Sequence, residues 1–165
     1  MKLKRFFTLI VLSLAACLAF ASCSGSEGVL RGVEMGMTSS EVFAVEEKRD
    51  DSGAAVTGDN QLVYHDIAVY DIPCYITYFF GVDGGLYKIS CVFDEATEEN
   101  YLSLIEAITD EYGEREDLPD SYGNLCEWNS KNLVIRLTFI HGNENISDSL
   151  ALTYSVPTDD SASIE

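Results

Sequence analysis

Positive charge is scarce in this chain: ten Lys and Arg stand against 28 Asp and Glu, with two His, and the formal net charge is −18. A surface so negative repels phosphate backbones, which excludes nucleic acid as the expected partner and disfavours anionic headgroups. The short signatures of common chemistries are missing too. No G-x-S-x-G, H-E-x-x-H, C-x-x-C, Walker loop or G-x-G-x-x-G occurs. The sequence therefore assigns no catalytic residue, no cofactor and no metal, and the chain reads as non-enzymatic. Long apolar runs are confined to one place, residues 6–20.

That run follows Lys2, Lys4 and Arg5 and is shorter than the ~20 residues a spanning helix needs, so residues 1–22 read as a secretory signal peptide. Three processing readings compete. Leu14-Ala15-Ala16-Cys17 and Phe20-Ala21-Ser22-Cys23 both resemble bacterial lipoprotein boxes, and Ala19-Phe20-Ala21 suits ordinary cleavage. Cys23 is preferred for lipid attachment, because polar Ser24-Gly25-Ser26-Glu27-Gly28 follows it and suits a tether, here taken as 23–31. The expected location is the extracytoplasmic face of a bacterial cell membrane, held by an N-terminal lipid. Three of the ten basic residues and none of the 28 acids stand in this leader. About 140 residues remain behind it, enough for one domain with a sizeable core. We place that domain at 32–157 and a disordered tail at 158–165.

Local signals divide the domain. Thr38 and Glu41 form a capping box, with Met37 and Val42 as its staple, and predict a helix over about residues 39–48. The stretch 49–60 reads as loop and turn. From Leu62 to Phe93 three β-rich runs follow, and Gly81-Val82-Asp83-Gly84-Gly85 is a hairpin signal. A two-residue turn there puts Cys74, Ile76, Tyr78 and Phe80 on one face with Tyr87, Ile89, Cys91 and Phe93. Tyr101, Leu104, Ile105, Ile108 and Tyr112 are helically spaced, and Gly113 is a natural stop. Strands return in 125–128, 133–140 and 149–156. The expected fold class is α+β, a two-layer domain of helices on an antiparallel sheet, built from duplicated αβββ units.

Gly36-Met37-Thr38-Ser39-Ser40-Glu41-Val42, the Tyr78-Phe79-Phe80…Asp83-Gly84-Gly85-Leu86 hairpin and the Glu111-Tyr112-Gly113 helix end resemble the SmpA/OmlA and β-lactamase-inhibitor-like group of small bacterial lipoproteins and secreted proteins. The resemblance spans about Gly32 to Pro157 and implies a non-enzymatic protein-binding scaffold. Arg49-Asp50-Asp51-Ser52-Gly53 stands where the outer-membrane assembly members carry a Gly-x-Pro turn.

The partner is an unknown envelope protein, and the candidate contact face is Tyr75, Thr77, Phe79, Lys88 and Ser90, extended by Arg136, Thr138, Thr153 and Ser155. A simply solvated face is the competing reading. Cys74, Cys91 and Cys126 lie beyond the leader, and a Cys74–Cys91 disulfide competes with three buried reduced thiols. His65 and His141 are too few for a His-rich metal site. The acids at 94–99 suit a helix start, and those at 114–120 lack the order of a Ca²⁺ loop. Trp128 and Tyr154 read as core rather than as a sugar platform. The alternative function class is a sensor of a small ligand or divalent cation.

Overall fold

The computed structural model describes residues 29–49, 51, 53, 55–119, 123–130 and 132–157. The signal peptide, Cys17 and Cys23, most of the tether and the expected 158–165 tail lie outside the described residues.

Helix α1 (Ser39–Glu46) starts as its capping box requires: Thr38 N–H donates to Glu41 Oε2 at 2.8 Å, and the Glu41 N–H donates to Thr38 Oγ1 at 3.4 Å. Helix α2 (Glu98–Tyr112) is capped by Thr97, whose Oγ1 accepts from the Asn100 N–H, and ends at Gly113. Eight strands make up most of the rest: β1 (Ala55–Gly58), β2 (Gln61–Val69), β3 (Ile72–Phe80), β4 (Leu86–Phe93), β5 (Glu116–Pro119), β6 (Gly123–Ser130), β7 (Leu133–Ile140) and β8 (Ser149–Ser155). They form one antiparallel sheet in the order β1-β2-β3-β4-β8-β7-β6-β5. A helix precedes each four-strand meander, and the meanders meet where β4 pairs with β8.

This corrects the expected fold class. Over the described residues the protein is β-rich, an eight-stranded sheet with two short helices, rather than a helix-on-sheet α+β domain of αβββ units. The difference lies in β1 and β5, four residues each at the two sheet edges. Strands of four residues are too short to carry an alternating apolar signal, so 55–58 read as loop and 116–119 as an acid cluster.

One face of the sheet is apolar and covered. Its strand residues include Tyr64, Ile76, Tyr78, Ile89, Trp128, Ile135, Leu137, Leu152 and Tyr154, buried together with Val42 of α1 and Leu104, Ile105 and Ile108 of α2. Trp128 and Tyr154 are thus core, as expected. The β3–β4 hairpin departs from the expected two-residue turn. Gly81 and Gly85 close a longer loop, and the register slips between Phe79↔Lys88 and Phe80↔Leu86. This bulge gives the core position to Leu86 (2 % exposed) and turns Tyr87 outward (44 % exposed), reversing the expected placement of Tyr87. Leu30 and Arg31, expected in the tether, are packed into the domain.

Candidate functional site

Because alternate strand residues point to opposite faces, the opposite side of the sheet is fixed by the same register that fills the core. Three rows of paired residues cross it. One runs Thr77, Ser90, Thr153, Arg136, Glu127; a second Phe79, Lys88, Ser155, Val134, Asn129; a third Tyr75, Val92, Ala151, Thr138, Leu125. All five residues expected on the contact face, and the four of its extension, stand here together. Their accessibility differs. Tyr75 is exposed, Phe79, Lys88 and Ser90 are half-buried, and Thr77, in the middle of the set, is buried by its neighbours.

Aromatic and cationic groups meet on this face. Lys88 Nζ lies 5.4 Å from the centre of the Phe79 ring, within cation–π range. The His65 and Tyr75 rings are 5.9 Å apart, brought together by a bulge in β2 where Asp66 takes a positive φ of 58°. Arg136 Nε donates to Glu127 Oε2 at 2.7 Å across the β6–β7 pair. The Glu127 carboxyl is held below its usual range: partial burial acts to raise it, but hydrogen bonds from Asn129 and Arg136 and the Arg136 charge outweigh that. In the rows from β3 to β7 no residue is acidic; Glu127 and Glu116 stand at the β6–β5 end, and Asp66 in the β2 bulge. In a chain with 28 acids that is a marked exclusion.

The other residues singled out in the sequence fall elsewhere. Cys74 pairs with Phe93 and Cys91 with Ile76, so the two thiols are diagonal neighbours on the covered face, and both are free and buried. The Cys91 thiol hydrogen-bonds that of Cys74 and is the main reason the latter is lowered; the same contact, with complete burial, pushes Cys91 well up. Cys126 is a third buried thiol, bonded to Tyr101 Oη at 3.1 Å and to Asp117 Oδ1 at 3.3 Å. Burial raises it, which leaves it a poor nucleophile. Asp117 is taken by Arg115 at 2.7 Å, and among the described residues no three His, Cys, Asp or Glu gather as a metal cage. His141 is exposed and lies edge-on to Phe139.

Sequence reasoning missed a polar cluster under α1. Arg31 Nε and Nη2 donate to both oxygens of Glu46 at 3.0 and 2.9 Å, and Arg31 Nη1 donates to Asp51 at 3.0 Å and to the Ala68 carbonyl at 3.1 Å. Tyr78 Oη donates to Glu46 Oε1 at 2.5 Å. The side chains are almost closed to solvent, 5 % exposed for Arg31 and 0 % for Glu46. Burial opposes the Arg31 charge, but the bonds from Glu46 and Asp51 more than offset it and raise its pKa further. A second cluster joins the meanders: Tyr70 Oη contacts Tyr154 Oη at 3.1 Å and donates to Glu111 at 2.8 Å, while Tyr112 Oη donates to the Val29 carbonyl at 2.9 Å. Both clusters read as fasteners of the fold. A lone Arg before a helix and a Glu at its last turn look like ordinary surface residues, so no sequence signal marks the pair.

No family model matches the chain, and neither a curated protein nor a solved structure matches it.

Proposed function

We propose that this protein is a non-enzymatic binding module whose open sheet face, centred on Tyr75, Phe79 and Lys88, docks another protein. The observation that carries the reading is the absence of acids from the β3–β7 rows of that face in a chain of net charge −18. Interface cores are depleted in charge and enriched in aromatics, with a charged rim around them, and this face and its surroundings have that division. The resemblance of the helix-opening and hairpin motifs to a group of non-enzymatic envelope proteins points the same way. The leader supports attachment through an acylated Cys23 at the extracytoplasmic face of a cell membrane. Such anchoring confines the face to a surface and raises the encounter rate with an envelope partner. One acyl chain holds weakly, so lasting attachment takes the multiple acylation expected of this class of lipoprotein.

The test is photo-crosslinking in native membranes from a benzophenone placed at Tyr75, beside a control placed at exposed Lys48. A single protein adduct formed at 75 and not at 48 is expected. It should vanish in Phe79→Ser and in Thr153→Glu, which puts an acid into the centre of the face without touching the core. An adduct that survives both substitutions, or none at 75 at all, sinks the assignment.

A further inference from the structure

The sheet's two edges differ in what lies beside them. Next to β1 the groove is lined mostly by polar and turn residues such as Ser39, Asp59, Asn60 and Gln61, with Leu62 and Phe80 among them. Beside β5, α2 packs over β6 and β7 and leaves a groove of about 450 Å³ along the strand. Its walls mix apolar Tyr101, Leu102, Ile105 and Leu118 with polar Arg115, Asp117 and Asn124. Leu102 is 55 % exposed, although it sits on a helix whose other apolar side chains at 101, 104, 105 and 108 are buried. On the helix, residues three and four positions away share its surface. For Leu102 these include Glu98, Glu99 and Glu106, all exposed, while exposed Glu114 and Glu116 stand where β5 begins. The cation lining the groove, Arg115, is paired with Asp117.

We propose that this edge binds an extended peptide in which apolar and basic side chains alternate, adding as a ninth strand beside β5 while its apolar side chains enter the groove under Leu102. Three observations converge. Among the described residues β5 has only one strand neighbour, β6, which leaves its outer backbone groups to pair with an incoming strand. A trough with an apolar helix wall, Tyr101, Leu102 and Ile105, runs beside that edge. Acids flank it on two levels, Glu98, Glu99 and Glu106 on the helix around Leu102 and Glu116 on the opposite face of β5, where the alternate basic side chains of an incoming strand would lie. Together they select a basic ligand and reject an acidic one. The same features explain why the edge does not pair indiscriminately. β5 is four residues long, carries Glu116 and Asp117, and ends in Pro119, which has no N–H to give; each is a device that guards an edge against uncharged strands. This surface shares Leu125 and Glu116 with the β6–β5 end of the open face but lies at the far edge from Tyr75, Phe79 and Lys88, and neither proposal depends on the other.

Fluorescence anisotropy with the folded protein and a labelled, end-blocked peptide alternating lysine and valine tests the idea, beside a glutamate–valine peptide and a lysine–valine peptide N-methylated at alternate amides. The first should bind and saturate at one per chain. The acidic peptide should not bind, and N-methylation should weaken binding about tenfold or more, because it removes strand pairing and keeps every charge. Leu102→Glu is the decisive variant: it adds negative charge, so diffuse attraction of a basic peptide would tighten, whereas loss of the trough should weaken binding about tenfold. Tyr75→Ser on the open face should change nothing. Equal binding of the N-methylated peptide, tighter binding by Leu102→Glu, or no saturable binding of the lysine–valine peptide overturns the proposal. A weakening by Tyr75→Ser would move the site to the open face and overturn it as well.

Discussion

Replacing Glu46 with Ala should unfold much of what the structure gains at its covered face. The carboxylate is fully buried and accepts three bonds, two from Arg31 and one from Tyr78. Its removal leaves the Arg31 guanidinium with Asp51, which is half exposed, and one carbonyl. Stripping one partner from a buried ion pair costs about 3–5 kcal/mol, and an orphaned buried hydroxyl about 1–3 more, though the two overlap. We expect a loss of about 4 kcal/mol, a large part of the roughly 5–15 kcal/mol that holds such a domain together. Equilibrium unfolding in urea reads it as a midpoint lowered by about 2 M at unchanged slope. Tyr78→Phe keeps the ion pair and should cost only about 1–2 kcal/mol, a variant that folds even if Glu46→Ala does not. The paired change Arg31→Met with Glu46→Leu removes both charges and should recover most of the loss, because the pair is destabilising to break rather than strongly stabilising to own. A Glu46→Ala loss under about 1 kcal/mol, or a double variant no better than the single, would refute the buried pair as described.

The β4 bulge makes a prediction opposite to simple alternation: Leu86→Ala should cost about 2–5 kcal/mol and Tyr87→Thr less than about 0.5, by thermal or urea unfolding, and the reverse order would remove the bulge. Tyr64, Tyr70, Tyr78, Tyr101, Tyr112 and Tyr154 all have hydroxyls pushed up, first by burial, Tyr64 to about 12. A raised folded pKa favours the protonated form, so this stability is whole below the unfolded value near 10 and is lost as pH climbs toward the folded values. Absorbance at 295 nm should show these six of the nine tyrosines ionising late and together with unfolding, and six independent titrations near pH 10 in folded protein would contradict the packing.

Much of the fold is legible in the sequence because the signals are local. The Thr38–Glu41 box, the helical spacing of Tyr101 to Tyr112 and the alternation in 133–140 each fix an element from within its own residues, and each element is present. The shared face of Tyr75, Thr77 and Phe79 follows from period two for the same reason. What escapes a local reading depends on partners far along the chain. β1 and β5 exist because β2 and β6 offer an edge to pair with, not because Ala55–Gly58 or Glu116–Pro119 favour strand. Tyr87 lies on the face opposite to the expected one because one extra residue in a bulge inverts the alternation around it, and only the pairing of Phe80 with Leu86 reveals it. Glu46 is invisible for a third reason. A charged residue buried by a partner 15 positions away has the same composition signature as one facing water.

The absence of acids from the β3–β7 rows of the open face has a competing physical source, since Asp and, less strongly, Glu are poor strand formers and would be thinned from any strand. Propensity acts on both ends of the sheet alike, however, and β6 and β5 carry Glu127 and Glu116 on the same face. It also acts on lysine, which the face keeps at Lys88, over the Phe79 ring. A solvated face needs no such sorting, because exposed carboxylates between threonines cost a sheet little and help to keep it soluble. The sorting is by sign and by place: neutral and cationic groups from β3 to β7, with acids at both flanks, Asp66 in the β2 bulge and Glu127 and Glu116 at the far end, and on the helix opposite. That pattern suits two contacts of different character, a broad neutral face for a folded surface and an acid-rimmed edge for a basic strand. Two surfaces separated by the thickness and the edge of one sheet can then be occupied at once.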